Sequence, residues 1–480
     1  MPNQKTNEIL KCFEELSAVP RGSQKEEKIR KWLQDWARKN NLESNVDKIG
    51  NLIIKVPASK GYEKAPSIVI QGHMDMVCEK TADSKHDFSK DPIKFVYEGE
   101  WLHADTTSLG ADNGIAIAMA MVAATDKELN HPALELLFTI DEEGGLRGAQ
   151  ELEPGFVTGK ILLNLDSEDE GCLTIGCAGG INTDSVFDLE YEACPNGYEC
   201  AKITVDGLKG GHSGVDIHLG RANAINLLCR ALSEVAAKTD LRIADISGGS
   251  AHNAIPRSAW AVVAVKDYAA ANRVVADVEK ILKAEFKRPD PELRFTIAKD
   301  NARPAKVLTL ASTNKIVDLS LAMPFGITAM SADVEKLVET SNNFSTLNIV
   351  NGKLETLTLQ RSSIESRLDF ITRKVWAVAN LAGGRSSNRD RYSSWQPNVD
   401  SPLLQKCTAL YEKRFGKKPA IDIIHAGLEC GIIGNKYPGM DMISYGPTIK
   451  NVHSPDEKLH VPSVSKIWDF TADLLASFKA

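Results

Sequence analysis

Ala133-Leu134-Glu135-Leu136-Leu137-Phe138-Thr139-Ile140-Asp141-Glu142-Glu143-Gly144-Gly145 decides how the chain is read. Its apolar opening is short enough for a buried strand, and two glycines end it. Three adjacent carboxylates at the mouth of such a strand repel one another wherever water is partly excluded, so a positive partner is expected there. A solvated turn would explain one isolated DEEGG. Other apolar runs, however, end in the same manner: Ser67–Gly72 runs into His73-Met74-Asp75, and Lys160–Leu165 ends in Asp166.

In an extended segment residues i and i+2 share a face, so His73 and Asp75 point into the same space. A carboxylate beside an imidazole fixes its tautomer and raises its basicity, an arrangement common around metal-bound histidines. Ser108-Leu109-Gly110-Ala111-Asp112-Asn113-Gly114 leads into the small-residue helix Ile115–Met121, which can pack closely on a sheet. Asp112 is either the cap of that helix or a ligand. Near the end of the chain, Met440–Pro447 reads as a strand and is followed by Asn451-Val452-His453-Ser454-Pro455-Asp456-Glu457. His73, Asp112, Glu143, Asp166 and His453 thus all lie where buried elements emerge, and open α/β sheets bind ligands at the carboxyl ends of their strands. Imidazoles with carboxylates suit zinc, and also cobalt or manganese.

Composition narrows the partners. A net charge of −7 over 480 residues, without a dense Lys/Arg stripe, argues against nucleic acid. No apolar run reaches membrane-spanning length, and the N-terminus lacks a signal core. Nine scattered cysteines fit reduced thiols and a cytoplasmic location. The length predicts more than one domain.

The pattern predicts an α/β catalytic domain, residues 1–196 and 386–480, with a mixed central sheet flanked by helices. Between them, residues 197–385 read as an inserted α+β domain, with helices over Ala222–Ala237 and Tyr268–Glu285 and a hairpin turning at Asn351-Gly352. A second helix–hairpin unit after Leu308 makes a two-lobed insert an expectation. Three stretches there are chemically suggestive: the glycine-dense loop presenting His212, the loop presenting Asn253, and the strand ending at Arg361. Ser23-Gln24-Lys25-Glu26 reads as a capping box for the helix that follows.

The series HMDMV, SLGADNG, DEEGG, the strand ending in Asp166, KGGHSG and HSPDE resembles the di-zinc metallopeptidases that include carboxypeptidase G and peptidase T. LGADNG, GCAGGI, GLKGGHSG, NAIPR, IIHAGLECG and HSPDE are similar to the Xaa-His dipeptidase branch of that family, and the similarity spans nearly the whole chain. The resemblance implies one zinc on His73 and Asp166, another on Glu143 and His453, and Asp112 bridging them. It further implies Asp75 as the partner of His73, Glu142 as general base, and His212, Asn253, Arg361 and Gly427 as substrate contacts on a lid. His212 would stabilise the oxyanion, from its own lid or from a partner subunit. The implied activity is hydrolysis of unblocked dipeptides, Xaa-His species such as carnosine among them, by a homodimer joined through the inserted domain. A related amidohydrolase or aminopeptidase on the same site, and a catalytically silent scaffold relative, are the alternatives; an intact Glu142 and ligand set weigh against the second.

Overall fold

The computed structural model describes residues 3–300, 302–332 and 334–479. It divides into two compact units: residues 1–177, 395–423 and 428–480 form the first, and residues 178–394 with 424–427 the second.

The first unit is built on an eight-stranded sheet. Its centre is four parallel neighbours, in the order Leu134–Thr139, Ile68–His73, Ile161–Asn164 and Asp441–Ser444. These are the β-branched and leucine-rich runs of the sequence. Leu134–Thr139 and Ile68–His73 are buried along their whole length, as expected for strands covered on both faces. Antiparallel strands flank them, Leu52–Val56 beside Leu134–Thr139 and Cys172–Cys177 beside Asp441–Ser444, so the sheet is mixed. The register sets His73 opposite Thr139 and Gln71 opposite Asn164, which brings the carboxyl ends of the parallel strands to one edge.

The helix Ala111–Thr125 packs on this sheet through alanine, isoleucine and methionine side chains that are nearly all buried. Gly72 is what lets its first turn come close: a Cβ there would sit 2.3 Å from Asn113 Oδ1 and 3.1 Å from Ala116 Cβ. The Asp112–Asn113 peptide bond is cis.

The second unit is a nine-stranded antiparallel sheet. One half contains Glu199–Asp206, Ala259–Val265 and Leu241–Gly248; the other contains Val338–Val350, Lys353–Ser362 and Gly179–Asp188. The halves meet at the pairs Ser247–Asn348 and Gly248–Leu347. One apolar core, with Leu228, Val275, Ile316 and Val375 from four helices, runs under both, so the two-lobed expectation gives way to a single sheet. The Asn351-Gly352 turn joins its long hairpin with positive φ at both residues, 50° and 77°.

The boundaries near 196 and 386 shift to Cys177 and Ser394. Gly179–Asp188 pairs along its full length with Lys353–Ser362 and with Arg385–Tyr392 on its other side, which commits both flanking segments to the second sheet.

Candidate metal centre

Each ligand candidate of the first unit arrives at the end of a buried element. His73 closes Ile68–His73, Glu143 follows Leu134–Thr139, and Asp166 follows Ile161–Asn164. Asp112 lies in the first turn of Ala111–Thr125, and His453 sits in a turn with a φ of 60°. His73 Nε2 is 3.0 Å from Asp112 Oδ1 and 3.4 Å from Asp166 Oδ1. The other oxygen of Asp112 is 3.2 Å from His453 Nε2, which lies 2.9 Å from Glu143 Oε2. Two three-residue clusters result, His73–Asp112–Asp166 and Asp112–Glu143–His453, each with its ligand atoms within 4.8 Å of one another. Asp112 belongs to both.

Asp75 stands behind His73, with Oδ1 3.3 Å from Nδ1. It also accepts from the Glu142 and Glu143 backbone N–H groups at 3.1 and 3.2 Å and from the Ser23 hydroxyl at 2.8 Å. One buried carboxylate therefore orients an imidazole and fixes the acidic turn beside it. This explains why Ser23 caps no helix: the helix begins at Glu27, Ser23 is taken by Asp75, and Glu26 accepts from the Gln24 and Asp141 N–H groups.

The electrostatics are those of a cluster short of positive charge. Burial pushes Glu142 well above the usual carboxylate range, raises Glu143, and lifts Asp166 to about 6. Hydrogen bonds to Asp112 and Glu143 raise His453 to about 11. Burial acts to lower His73, but Asp166, Asp112 and Asp75 outweigh it and hold the imidazole well above its usual value. Glu143 Oε1 is buried without a hydrogen-bond partner, and Asp166 Oδ1 has only its 3.4 Å contact with His73 Nε2. Buried polar atoms are rarely left unpaired. Oxygen and imidazole donors that converge, carry excess negative charge and include an orphaned oxygen fit divalent cations.

Comparison with known proteins agrees. The chain is 39% identical over 477 residues to the cytosol non-specific dipeptidase of Escherichia coli, covering 98% of this chain and 97% of the relative. The M20 family of metallopeptidases takes in this chain. The crystal structure of aminoacylhistidine dipeptidase from Vibrio alginolyticus superposes with a TM-score of 0.90 at 39% identity, over 99% of this chain and 97% of that one. The aminopeptidase PepT of Bacillus cereus shares the fold, with a TM-score of 0.58 at 16% identity and complete coverage of both chains. Residues 203–290 match the peptidase dimerisation domain. M20 metallopeptidases use divalent metal ions. Among the described residues, no helix of this M20 chain is long and apolar enough to cross a membrane.

The remaining sequence candidates lie in the second unit of the M20 chain. His212 Nδ1 accepts from the Gly214 and Val215 N–H groups at 3.2 and 3.0 Å. Burial, helped by Arg361, lowers its pKa to about 4, so the ring is neutral and carries its proton on Nε2. Arg361 is buried, donates to the Tyr392 hydroxyl, and leaves Nε without a partner. Gly214 is the close neighbour of both: a Cβ there would lie 3.1 Å from His212 Cε1, 3.2 Å from Arg361 Nε and 2.2 Å from the His425 carbonyl. His212, Arg361 and the His425–Gly427 segment thus come together in this unit. The Asn253 carbonyl accepts from Ser213 N–H at 2.8 Å, next to His212 in sequence.

Two buried groups around the metal centre escaped the sequence reading. Glu457 accepts from four successive backbone N–H groups: Leu109 and Gly110 on one oxygen at 2.8 and 2.9 Å, Ala111 and Asp112 on the other at 2.8 and 3.3 Å. It caps the helix that Asp112 opens, from four residues beyond His453. Arg21, 2% exposed, donates to the Met74, Asp75 and Gly110 carbonyls and thereby ties the end of the His73 strand to the same turn. HSPDE marked the neighbourhood of Glu457 without its partner, and nothing local marks Arg21.

Proposed function

We propose that this chain is a two-zinc dipeptidase that hydrolyses unblocked dipeptides, Xaa-His species such as carnosine among them, with cobalt or manganese able to replace zinc. The observation that carries the proposal is the pair of histidine–carboxylate clusters sharing Asp112 at the strand ends. The dipeptidase names of its 39%-identical relatives point the same way.

His73, Asp112 and Asp166 would hold one cation, and Asp112, Glu143 and His453 the other. When bound, such cations polarise the scissile carbonyl and make a water nucleophilic near neutral pH. The residues of the chain divide the remaining work. Asp75 keeps the His73 proton on Nδ1, leaving Nε2 as a donor of its lone pair. Glu142 takes the proton of the attacking water and passes it to the leaving amine. In the second unit, neutral His212 presents an Nε2–H donor suited to the developing oxyanion. Arg361, with an uncommitted Nε–H, suits the C-terminal carboxylate of a dipeptide. Asn253 and Gly427 are assigned to the substrate beside them. The match of residues 203–290 to the peptidase dimerisation domain supports a homodimer joined through this unit.

The test is metal content and turnover of free dipeptides by wild type and Glu142→Gln. The variant is expected to keep its metal and lose about 10²- to 10⁴-fold in kcat. Equal turnover would remove Glu142 from the role of base, and a wild type that binds no metal or cleaves no dipeptide would overturn the assignment.

A further inference from the structure

A buried arginine without a counter-ion is costly, because the guanidinium keeps its charge after leaving water. Arg361 is 5% exposed, and among the described residues no carboxylate forms an ion pair with it. Its titratable neighbours in the second unit are neutral. His425 has Nε2 2.8 Å from Ser341 Oγ, and burial together with the Arg361 charge lowers its pKa to about 3. His212, at about 4, is neutral as well. The positive charge is left for an anion that arrives.

The sheet fixes how that guanidinium is held. Ser341, Arg361, Gly180 and Tyr392 stand opposite one another on four neighbouring strands, Val338–Val350, Lys353–Ser362, Gly179–Asp188 and Arg385–Tyr392. Residues paired in this way share one face of the sheet. Arg361 and Tyr392 are two strands apart, and they meet because the residue between them is glycine. A Cβ on Gly180 would lie 2.3 Å from the Tyr392 hydroxyl oxygen and 2.4 Å from its Cζ, so the phenol lies across the backbone there. Its oxygen accepts from Arg361 Nη1. A hydroxyl does this without adding negative charge. Nε–H and Nη2–H form another edge of the guanidinium, the parallel fork that matches a carboxylate. Nε is buried without a partner, and among the described residues no hydrogen bond engages Nη2. Gly214 puts no side chain over that edge, where a Cβ would come within 3.2 Å of Nε.

We infer that Tyr392 is a positioning residue for the substrate: it holds Arg361 across Gly180, so that the Nε–Nη2 edge is set in advance for the two oxygens of a dipeptide's C-terminal carboxylate. The inference rests on the dipeptidase reading above. Tyr392 touches no reacting atom. It removes freedom that an unheld arginine would lose on binding, an ordering cost that otherwise weakens affinity by about 2- to 12-fold.

The test compares alanyl-histidine with its C-terminal amide, which differ only at the group assigned to Arg361. Wild-type turnover of alanyl-histidine decides the dipeptidase reading by itself. Tyr392 is decided separately, from dissociation constants of both compounds on the zinc-loaded Glu142→Gln protein, with and without Tyr392→Phe. That substitution keeps the ring over Gly180 and removes only the hydroxyl. It is expected to weaken binding of alanyl-histidine about 3- to 10-fold and to leave the amide unchanged. With Glu142 in place, the same loss falls on KM and not on kcat. In an Arg361→Ala background, Tyr392→Phe changes neither compound. Equal losses for both compounds, no loss for either, or a loss that persists without Arg361 would overturn the inference.

Discussion

Replacing Glu457 by glutamine tests whether the metal centre is assembled by its backbone clamp. The side chain keeps its shape, but one oxygen becomes an NH₂ group facing N–H donors. Two of the four contacts, which now run at 2.8 to 3.3 Å, are therefore lost whichever way the amide turns. Hydrogen bonds to a charged group contribute about 1.5–3 kcal/mol each, so the direct loss is about 3–6 kcal/mol. Arg21 compounds it, because Glu457 is the foremost charge offsetting the burial of its guanidinium. Relaxation of the turn recovers part, leaving about 3 kcal/mol, which at 1.4 kcal/mol per decade is about 100-fold. Amide hydrogen exchange at Leu109–Asp112 reads this directly. It is best measured above the pKa of Glu457, which burial raises to about 7. Exchange in the metal-free variant should quicken by about that factor while amides of Leu134–Thr139 stay protected, and zinc affinity should fall because Asp112 loses its fixed backbone. Unchanged exchange at residues 109–112 would refute the clamp.

Other expectations follow from the same geometry. Arg361→Ala should cost about 100-fold in kcat/KM on free dipeptides and little on C-terminally amidated ones; equal losses would show that Arg361 does not bind the carboxylate. The metal-free protein should lose thermal stability as pH rises. His453, at about 11 against an ordinary 6.5, gives support that is complete below pH 6.5 and lost towards 11, and Asp166, at about 6 against 3.8, adds the same sign at lower pH. Melting the chelated protein between pH 6 and 9 checks this: a flat or rising melting temperature would contradict it, and the zinc-loaded protein, whose His453 must be neutral to bind, should lack that slope.

Much of the candidate site could be read from the sequence because its candidate ligands are punctuation. A buried parallel strand is a nearly continuous apolar run, and the polar residue that ends it stands out, as His73, Glu143 and Asp166 do. What could not be read was pairing between distant segments. Arg21 works through carbonyls of residues 74, 75 and 110, and carbonyls leave no mark on composition. Ser23-Gln24-Lys25-Glu26 fits a local capping rule, but tertiary bonds to Asp75 and Asp141 claimed its two key side chains. The start of the second unit was hidden for a similar reason. Cys172–Cys177 and Gly179–Asp188 follow each other almost without a break, and only the register shows that they serve different sheets.

The supporting residues explain how an acid-rich centre can exist before any cation arrives. Side-chain repulsion among Asp112, Glu142, Glu143 and Asp166 pushes the strand ends apart, and burial sharpens it. Backbone groups oppose that tendency: Glu457 gathers the N–H groups around Asp112, Asp75 gathers those of Glu142 and Glu143, and Arg21 gathers carbonyls from both the His73 and Asp112 segments. The side chains are thus left free to bind while the peptide units that carry them are already tied. Metal binding then relieves repulsion within a frame that is set in advance, so a change in Glu457 or Arg21 should weaken metal affinity without touching a ligand.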